Sequence, residues 1–587
     1  GIVSSLPLQG QAKAVTLEGS TTSAETQTAY VATGSYGLAI VDASRFQRPL
    51  VLGQIDLSGD AVDVAVDSRL GIAAVAAGSA LHLVDVSDAT APVRTQTINI
   101  PAVQVEAANG VAYVAAGNGI ESYSLLTGEL LQVLPIGSSA IVSLACDGSM
   151  LYAVDAASTL RAIDISGLAM RARGELALPA AGGRIFVGNG IAYIGASSGV
   201  IGGFLAGFTT ADVADPDSMH VLSGPDLFNI EGYALAANGS GLGLLAGTLI
   251  GASGALSRID VVDVRDPTRT DQFLTSFNLS APPFDLAIGA GIAFVADGTG
   301  GLQVANYLPF DNRGQPPTIT LSAPNVDLDP STPGIQALEG SLINVRLDVN
   351  DDQQVRNVEL LVDGQVVAND VSFPWSAAAA LPTLLAGGTT ATIQARATDT
   401  GGNTTLSNAL VVDLVPDTFP PTVVSSNIAD GSRHGQLFRT VRMLFSEAMD
   451  PATLDPANFH LQDAAGNLLS PVDVAIGAQG MVVQLTFPTL TTGQYSLLIQ
   501  ADQVRDRAGN ALGTGETVFS SFSITEATIE WIGHDGDWNN SNNWDAGRLP
   551  DALDDVLIAG PVAVPITLSG GDTRVHRLVV TEDFTLS

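Results

Sequence analysis

Four charged side chains fall on one side of a series of short alternating runs: Asp63 in V-D-V-A-V-D, Glu106 in V-Q-V-E-A-A, Arg184 in G-R-I-F-V-G and Asp285 in F-D-L-A-I-G. Aligning those runs puts Ala14, Asp63, Gln104, Ser143, Arg184, Ala234 and Asp285 in one column. Thr16, Ala65, Glu106, Ala145, Phe186, Ala236 and Ala287 stand two residues on, hence on the same side of an extended chain. Carboxylates gathered with a guanidinium could serve acid–base chemistry, a ligand or a cation, and the lining of a wet, non-catalytic channel has the same composition. Asp63, Gln104, Glu106, Arg184 and Asp285 are therefore the candidates for a ligand channel. No residue is assigned a catalytic role, and the expectation is that the protein is not an enzyme.

Other reactive residues narrow the classes. The six histidines are scattered along the chain with no H-E-x-x-H and no i, i+4 pair, which argues against zinc and histidine triads. Gly239, Gly241 and Gly243 mimic a dinucleotide fingerprint, but no helix follows to receive a pyrophosphate. Glu447 and Asp450 invite a paired-carboxylate reading. A turn, and Asp450 capping a short helical stretch from Pro451 to Asn458, already explain both. Cys146 is the single cysteine, so no intrachain disulfide forms.

The formal net charge is −36, and Lys13 is the one lysine among 24 basic residues. Such a field repels nucleic acid and anionic membrane surfaces. It suits divalent cations or, equally, the solubility of an acidic extracellular protein. No apolar run approaches the ~20 residues of a membrane span, so no membrane insertion is expected. Gly1, with neither initiator Met nor signal sequence, reads as a mature or trimmed N-terminus.

The elements that must position the channel residues are repeats. Gly110-Val-Ala-Tyr-Val-Ala-Ala-Gly-Asn-Gly119 has relatives near Tyr30, Gly71, Met150, Gly190, Gly241 and Gly291, each between a shorter alternating run upstream and a run ending in Asp or its equivalent downstream. A further extended segment precedes the next copy. Four strands in roughly 40 residues, joined by Gly and Asn-Gly turns, predict a propeller blade. Seven inner strands predict seven blades over residues 1–311. The last blade lacks an outer strand, which the opening segment Ile2-Val-Ser-Ser-Leu-Pro-Leu8 is expected to supply. An insertion between Gly202 and Ile230 lengthens blade five and offers an alternative recognition surface, or simply packs against its blade. With Asp42, Asp85, Asp164 and Asp263 ending third strands, this half resembles the LVIVD-repeat family of bacterial propellers, whose repeat is structural.

Pro-containing linkers at 312–317 and 416–421 separate two strand-rich stretches, 318–415 and 422–525. The first, with PPTITLSAP, LDVNDDQQVRNVELLVDG and ATDTGGN, resembles bacterial Ig-like domains of surface proteins. In such modules the acidic loop and the A-T-D-x-x-G-N turn share one end of the sandwich. Asp348, Asn350, Asp351, Asp352 and Asp399, with Asp417 in the linker, are thus calcium candidates, calcium taking six to eight oxygens in flexible geometry; Asx-turns are the competing use. The second stretch, with F-S-E-A-M-D-P and a closing D-R-A-G-N, resembles the Ig-like domain first described in S-layer proteins, which implies a β-sandwich without catalysis.

Residues 527–587 hold Trp531, Trp538 and Trp544, followed by Pro550 and the Asp554-Asp555 pair. The segment resembles the Trp-rich opening of modules in very large secreted bacterial proteins, where it precedes a β-solenoid. The aromatic cluster is either an apolar plug or a sugar-stacking platform. A solenoid end needs a cap, so a continuation of the chain or a covering partner is expected here.

The whole reads as all-β: a seven-bladed propeller, two Ig-like sandwiches and the start of a β-solenoid-like module. The expected protein is bacterial, secreted or displayed at the cell surface. It would act in adhesion or extracellular assembly through proteins, glycans or further copies of itself, the propeller a docking head on an Ig-like stalk. The alternatives are a matrix or filament subunit joined through edge strands, and a propeller hydrolase or lyase acting on polysaccharide.

Overall fold

The structure is a computed structural model. It describes all residues except 21–25, 198–205, 226–229, 252–253, 310–313, 325, 478–479, 534–535, 560–564, 569–573 and 582–587. The two flanks of the blade-five insertion (202–205 and 226–229) and the start of the first linker lie outside the described residues. Two compact units, Gly1–Glu121 with Leu134–Thr418 and Ser122–Val133 with Phe419–Ser587, are taken in turn. No α-helix occurs among the described residues.

Seven four-stranded antiparallel sheets make up the N-terminal half. Six are consecutive: strands begin innermost, at Ala14–Gly19, Asp63–Asp67, Gln104–Ala108, Ile141–Asp147, Gly182–Gly188 and Ile230–Ala237, and each sheet ends on a more exposed outer strand. The seventh sheet contains Asp285–Gly289, Ile292–Ala296 and Leu302–Ala305, and its outer strand is Ile2–Leu6. Ile2 stands opposite Ala305 and Leu6 opposite Leu302, so the chain start closes the ring. The apolar faces meet between blades through small residues: Ala73, Val75 and Val84 pack with Ala32, Leu38 and Ile40, all essentially without exposure.

Local chemistry explains the regularity. The tight turn after the inner strand needs two residues with positive φ, and Asn109-Gly110, Asn189-Gly190 and Ala290-Gly291 supply them. The Asp that ends the third strand is a turn former. Asp42, Asp85, Asp164, Asp212 and Asp263 each accept the backbone N–H two residues on.

The first sandwich stacks Thr318–Ser322, Leu342–Asn350 and Ser376–Ala380 on a larger sheet that contains Val355–Val362 and Thr390–Asp399. Along Leu342–Asn350 the odd positions from Ile343 to Val349 are buried and the even ones from Asn344 exposed, the period of a half-buried strand. This domain is docked on one face of the propeller. The Phe373 ring lies 6.0 Å from that of Phe186, and Trp375 packs behind it. The Val371 carbonyl accepts from Ala290, Asn369 donates to the Ser20 carbonyl, and Gln354 donates to Asn306. Glycine makes this approach possible: a Cβ on Gly188 would stand 2.4 Å from the Phe373 ring, one on Gly239 2.6 Å from it, and one on Gly291 2.8 Å from Thr400. Blades one, five, six and seven thus all carry contacts to the sandwich.

In the second unit a sandwich forms around Phe445, Phe459, Phe487 and Phe522, all fully buried. The stretch after Asp450 is two 3-10 turns, Pro451–Thr453 and Pro456–Asn458, capped by Asp450 and Asp455. Beyond the sandwich, Ile529–Glu530, Asp555–Ile558 and Arg577–Val580 pair in parallel and in chain order, with Ile529 opposite Val556 and Val556 opposite Leu578. Successive parallel strands from one coil to the next are the geometry of a solenoid.

Candidate functional site: the mouth of the propeller channel

The channel residues come together, but as structural ties. Arg184 of blade five reaches across to blade two, where Nη1 donates to Asp63 Oδ1 at 2.7 Å and Nη2 to the Val62 carbonyl at 3.0 Å. Gln104 Oε1 of blade three lies 3.5 Å from Nη1, and Asp285 Oδ1 of blade seven 3.5 Å from Nε. The second oxygen of each aspartate is also spent. Asp63 Oδ2 accepts from Val105 N at 2.9 Å and Asp285 Oδ2 from Val15 N at 3.0 Å. Ser143 does the same for Ile185 N at 2.9 Å. The column is thus a clasp in which a side chain of one blade takes the backbone of the next, with Arg184 as a bar between opposite sides.

Electrostatics follows from that knot. Burial works against the Arg184 charge, but Asp285 and Asp63 outweigh it and hold its pKa above the usual arginine range. Burial pushes Asp285 up to about 6, against the pull of Arg184. Glu106, one step deeper along blade three, is pushed up to about 8 by burial and by the charge of Asp63, Arg184 opposing. Near neutrality the floor therefore carries Arg184 as a cation, Asp285 mostly as an anion and Glu106 mostly protonated. Phe186, expected in the deeper column, faces instead the aromatic contact with Tyr193 and Phe373.

Above this floor lies a cavity of about 380 Å³. Its collar is the residue immediately before each column position, one per blade: Lys13, Val62, Val103, Val142, Gly183, Tyr233 and Phe284. Pro282 and Pro283 extend the rim, and Gln104 and Arg184 form the base. Val103 and Phe284 are 40% and 41% exposed. Lys13 bonds Asp60 at 2.8 Å and sits 5.5 Å from the centre of the Phe284 ring, a cation–π distance. The sequence reading missed this collar because it sought charge. The same repeat alignment, shifted by one residue, contains it.

Four of the calcium candidates, Asp348, Asp351, Asp352 and Asp399, do not come together as one carboxylate cluster. Asp348 and Asn350 lie on the exposed side of their strand, Asp352 is exposed, and Asp351 Oδ2 accepts from Gln353 N. Asp399 is buried and gives one oxygen to Asn403 N and the other to the Asn403 side chain. The same arrangement recurs at Asp463 with Asn467 and at Asp506 with Asn510, so D-x-x-G-N here builds a turn. Asp417 is buried, with its N–H on Glu339. No three of Asp348, Asp351, Asp352 and Asp399 bring carboxylate oxygens within 4.8 Å of one another.

The tryptophans are interior. Trp531, Trp538 and Trp544 are 9%, 4% and 1% exposed and share a core with Ile529, Val556, Ile558 and Ile566. Trp544 meets both others edge-on, at 5.0 and 4.7 Å, and its Nε1 donates to the Trp538 carbonyl. Asp554 takes Arg548 in a two-pronged ion pair and Asp555 takes His576. Trp531, Trp538 and Trp544 are therefore packed on one another and offer no open face to a sugar.

Residues 317–395 match the family described as "Bacterial Ig domain" and residues 417–524 that described as "Bacterial Ig-like domain". The two C-terminal sandwiches are bacterial Ig-type modules. No curated protein matches the chain. Solved structures similar to it include the WD40 propeller domain of Doa1 (11% identity, 52% of this chain and 95% of that one, TM-score 0.37). BamB from Moraxella catarrhalis is similar at 12% identity over 52% of this chain and 99% of that one, with a TM-score of 0.35. A propeller joined to bacterial Ig modules suggests a surface or extracellular multidomain protein. No helix is long and apolar enough to cross a membrane among the described residues.

Proposed function

We propose that this is a secreted or surface-displayed bacterial protein of adhesion or extracellular assembly, in which the propeller is the recognition head. The observation that carries the reading is the docking of the first sandwich. It contacts blades one, five, six and seven on one face of the ring through Val371, Phe373 and Gln354, and the mouth at Lys13 and Phe284 opens at the other end of the inner strands. Ligand sites on repeat scaffolds lie in such openings. A hydrolytic role is disfavoured because Asp63 and Asp285 are each committed to a backbone N–H and to Arg184. A polymer-cleaving acid–base pair needs carboxylates free to meet substrate.

The test is binding of the whole chain to bacterial cell surfaces with one face blocked. Ser79, exposed between the second and third strands of blade two, lies on the mouth side. A polyethylene glycol chain coupled at Ser79→Cys is expected to abolish binding, and one at Ser331→Cys in the first sandwich to leave it intact. Equal binding by both conjugates, or no binding by the parent, overturns the reading.

A further inference from the structure

We propose that the mouth takes an uncharged, apolar side chain presented by a polypeptide partner, whose flanking carbonyl is received at the Arg184 floor. The inference rests on the reading of the mouth face as the recognition face, and it names the chemistry of what is recognised there.

The collar decides the body of the ligand. Six of its seven residues are uncharged, and Val62, Val103, Val142, Tyr233 and Phe284 present carbon to the cavity. The Pro282-Pro283 rim is rigid, so little ordering entropy is lost when something enters. At about 380 Å³ the space is near the small end of ligand cavities, ~300 Å³ upward, and suits one or two residues. Interfaces typically anchor on an apolar side chain in a desolvated central pocket.

The floor decides the polar end. The guanidinium has five N–H groups. Two of Nη1 and one of Nη2 go to Asp63, Gln104 and Val62, and Nε faces Asp285, which leaves the second Nη2 hydrogen for a ligand. A carboxylate is the wrong acceptor. Arg184 already serves two carboxylates, so a third must crowd against them, within a chain of net charge −36 at pH 7. A neutral carbonyl takes the same hydrogen without that repulsion. A sugar is also a poor match: none of the twelve lining residues is a carboxylate, and one face of Phe284 is taken by Lys13. The charge of the whole chain favours a partner segment that is neutral or basic.

Saturation-transfer NMR on the full chain tests this with three probes: N-acetyl-leucinamide, N-acetyl-leucine and methyl-α-glucoside. The amide is expected to bind, the acid to bind several-fold more weakly and the glucoside not to displace the amide. Val103→Asp and Phe284→Asp, at positions already 40% and 41% exposed, are expected to keep the fold and weaken amide binding roughly tenfold by placing a charge against the apolar body. Tighter binding of the acid, displacement by the glucoside, undiminished binding in both variants, or no amide signal each overturns the proposal. Cell-surface binding on the same samples separates the two levels. Cells bound without amide uptake sinks this inference alone, whereas no cell binding sinks the recognition role beneath it.

Discussion

Arg184 Nη1 lies 2.7 Å from Asp63 Oδ1 although 121 residues separate them in the chain. The bond joins blades that are not neighbours, and Asp63 passes the constraint to a third blade through Val105 N. Asp63 is 6% exposed, so removal of Arg184 leaves an uncompensated buried charge. Arg184→Met is expected to cost about 3–5 kcal/mol in chemical denaturation. Adding Asp63→Asn should recover much of that, since the amide oxygen can still accept from Val105. Equal stability of the single and double variants would remove the tie.

Glu106 gives a pH signature. Its pKa rises from 4.5 to about 8 on folding, chiefly through burial. Between those values the folded state holds the proton more tightly than the unfolded one, so stability falls as pH rises through that window and levels off above it. Glu106→Gln removes the penalty. The variant should melt close to the parent at pH 4.5 and above it at pH 8, the gap opening across the window. A constant difference, or one that closes with rising pH, contradicts the assignment.

Gly188 and Phe373 test the docking of the sandwich. With a Cβ only 2.4 Å from the ring, Gly188→Ala should push Phe373 out and loosen the joint, which hydrogen exchange reads as faster exchange at Ala290, whose N–H is held by Val371. Gly188→Ala with Phe373→Ala should recover protection at Ala290. Unchanged exchange in the single variant would mean the joint does not depend on that contact.

The repeat was legible because most blades repeat their turn chemistry: a Gly after the inner strand and, in five of the seven, an Asp at the end of the third strand mark register by themselves. The orphan segment at 2–8 was legible by subtraction, seven inner strands leaving one outer strand missing. What could not be read was the use made of each polar residue. Asp63 and Asp399 look like site residues in a list of carboxylates, and only their partners, Val105 N and Asn403 N, reveal a clasp and a turn. The collar was invisible for the opposite reason, since three valines attract no notice until seven blades bring them around one opening. Docking of the sandwich rests on Phe373 and Trp375 meeting Gly188 and Gly239, a contact between distant segments that no local pattern announces.

Removal of residues 1–10 tests ring closure. Leu302 and Val304 are fully buried beside Ile2–Leu6, and without that strand the seventh blade presents an open edge. The truncated chain should melt roughly 10 °C or more below the parent, at ~2–4 °C per kcal/mol for a domain of this size. An unchanged melting temperature would mean that the seam is held elsewhere.

Trp544 carries the last prediction. It is the largest fully buried side chain in the molecule, its ring meets both other tail tryptophans, and its Nε1 is bonded to the Trp538 carbonyl at 2.9 Å. Trp544→Ala should therefore open a cavity beneath Ile529 and Val556 and cost ~3–5 kcal/mol locally. With so few paired strands in the tail to absorb the loss, the expected outcome is unfolding of 529–581 while the sandwich before it stays folded. Proteolysis should then cut after Ile524 in the variant and not in the parent. Polysaccharide binding is expected to be absent from both proteins, because the aromatic faces are spent on one another. A folded Trp544→Ala chain that loses polysaccharide binding present in the parent would overturn the packing role and return the cluster to sugar recognition.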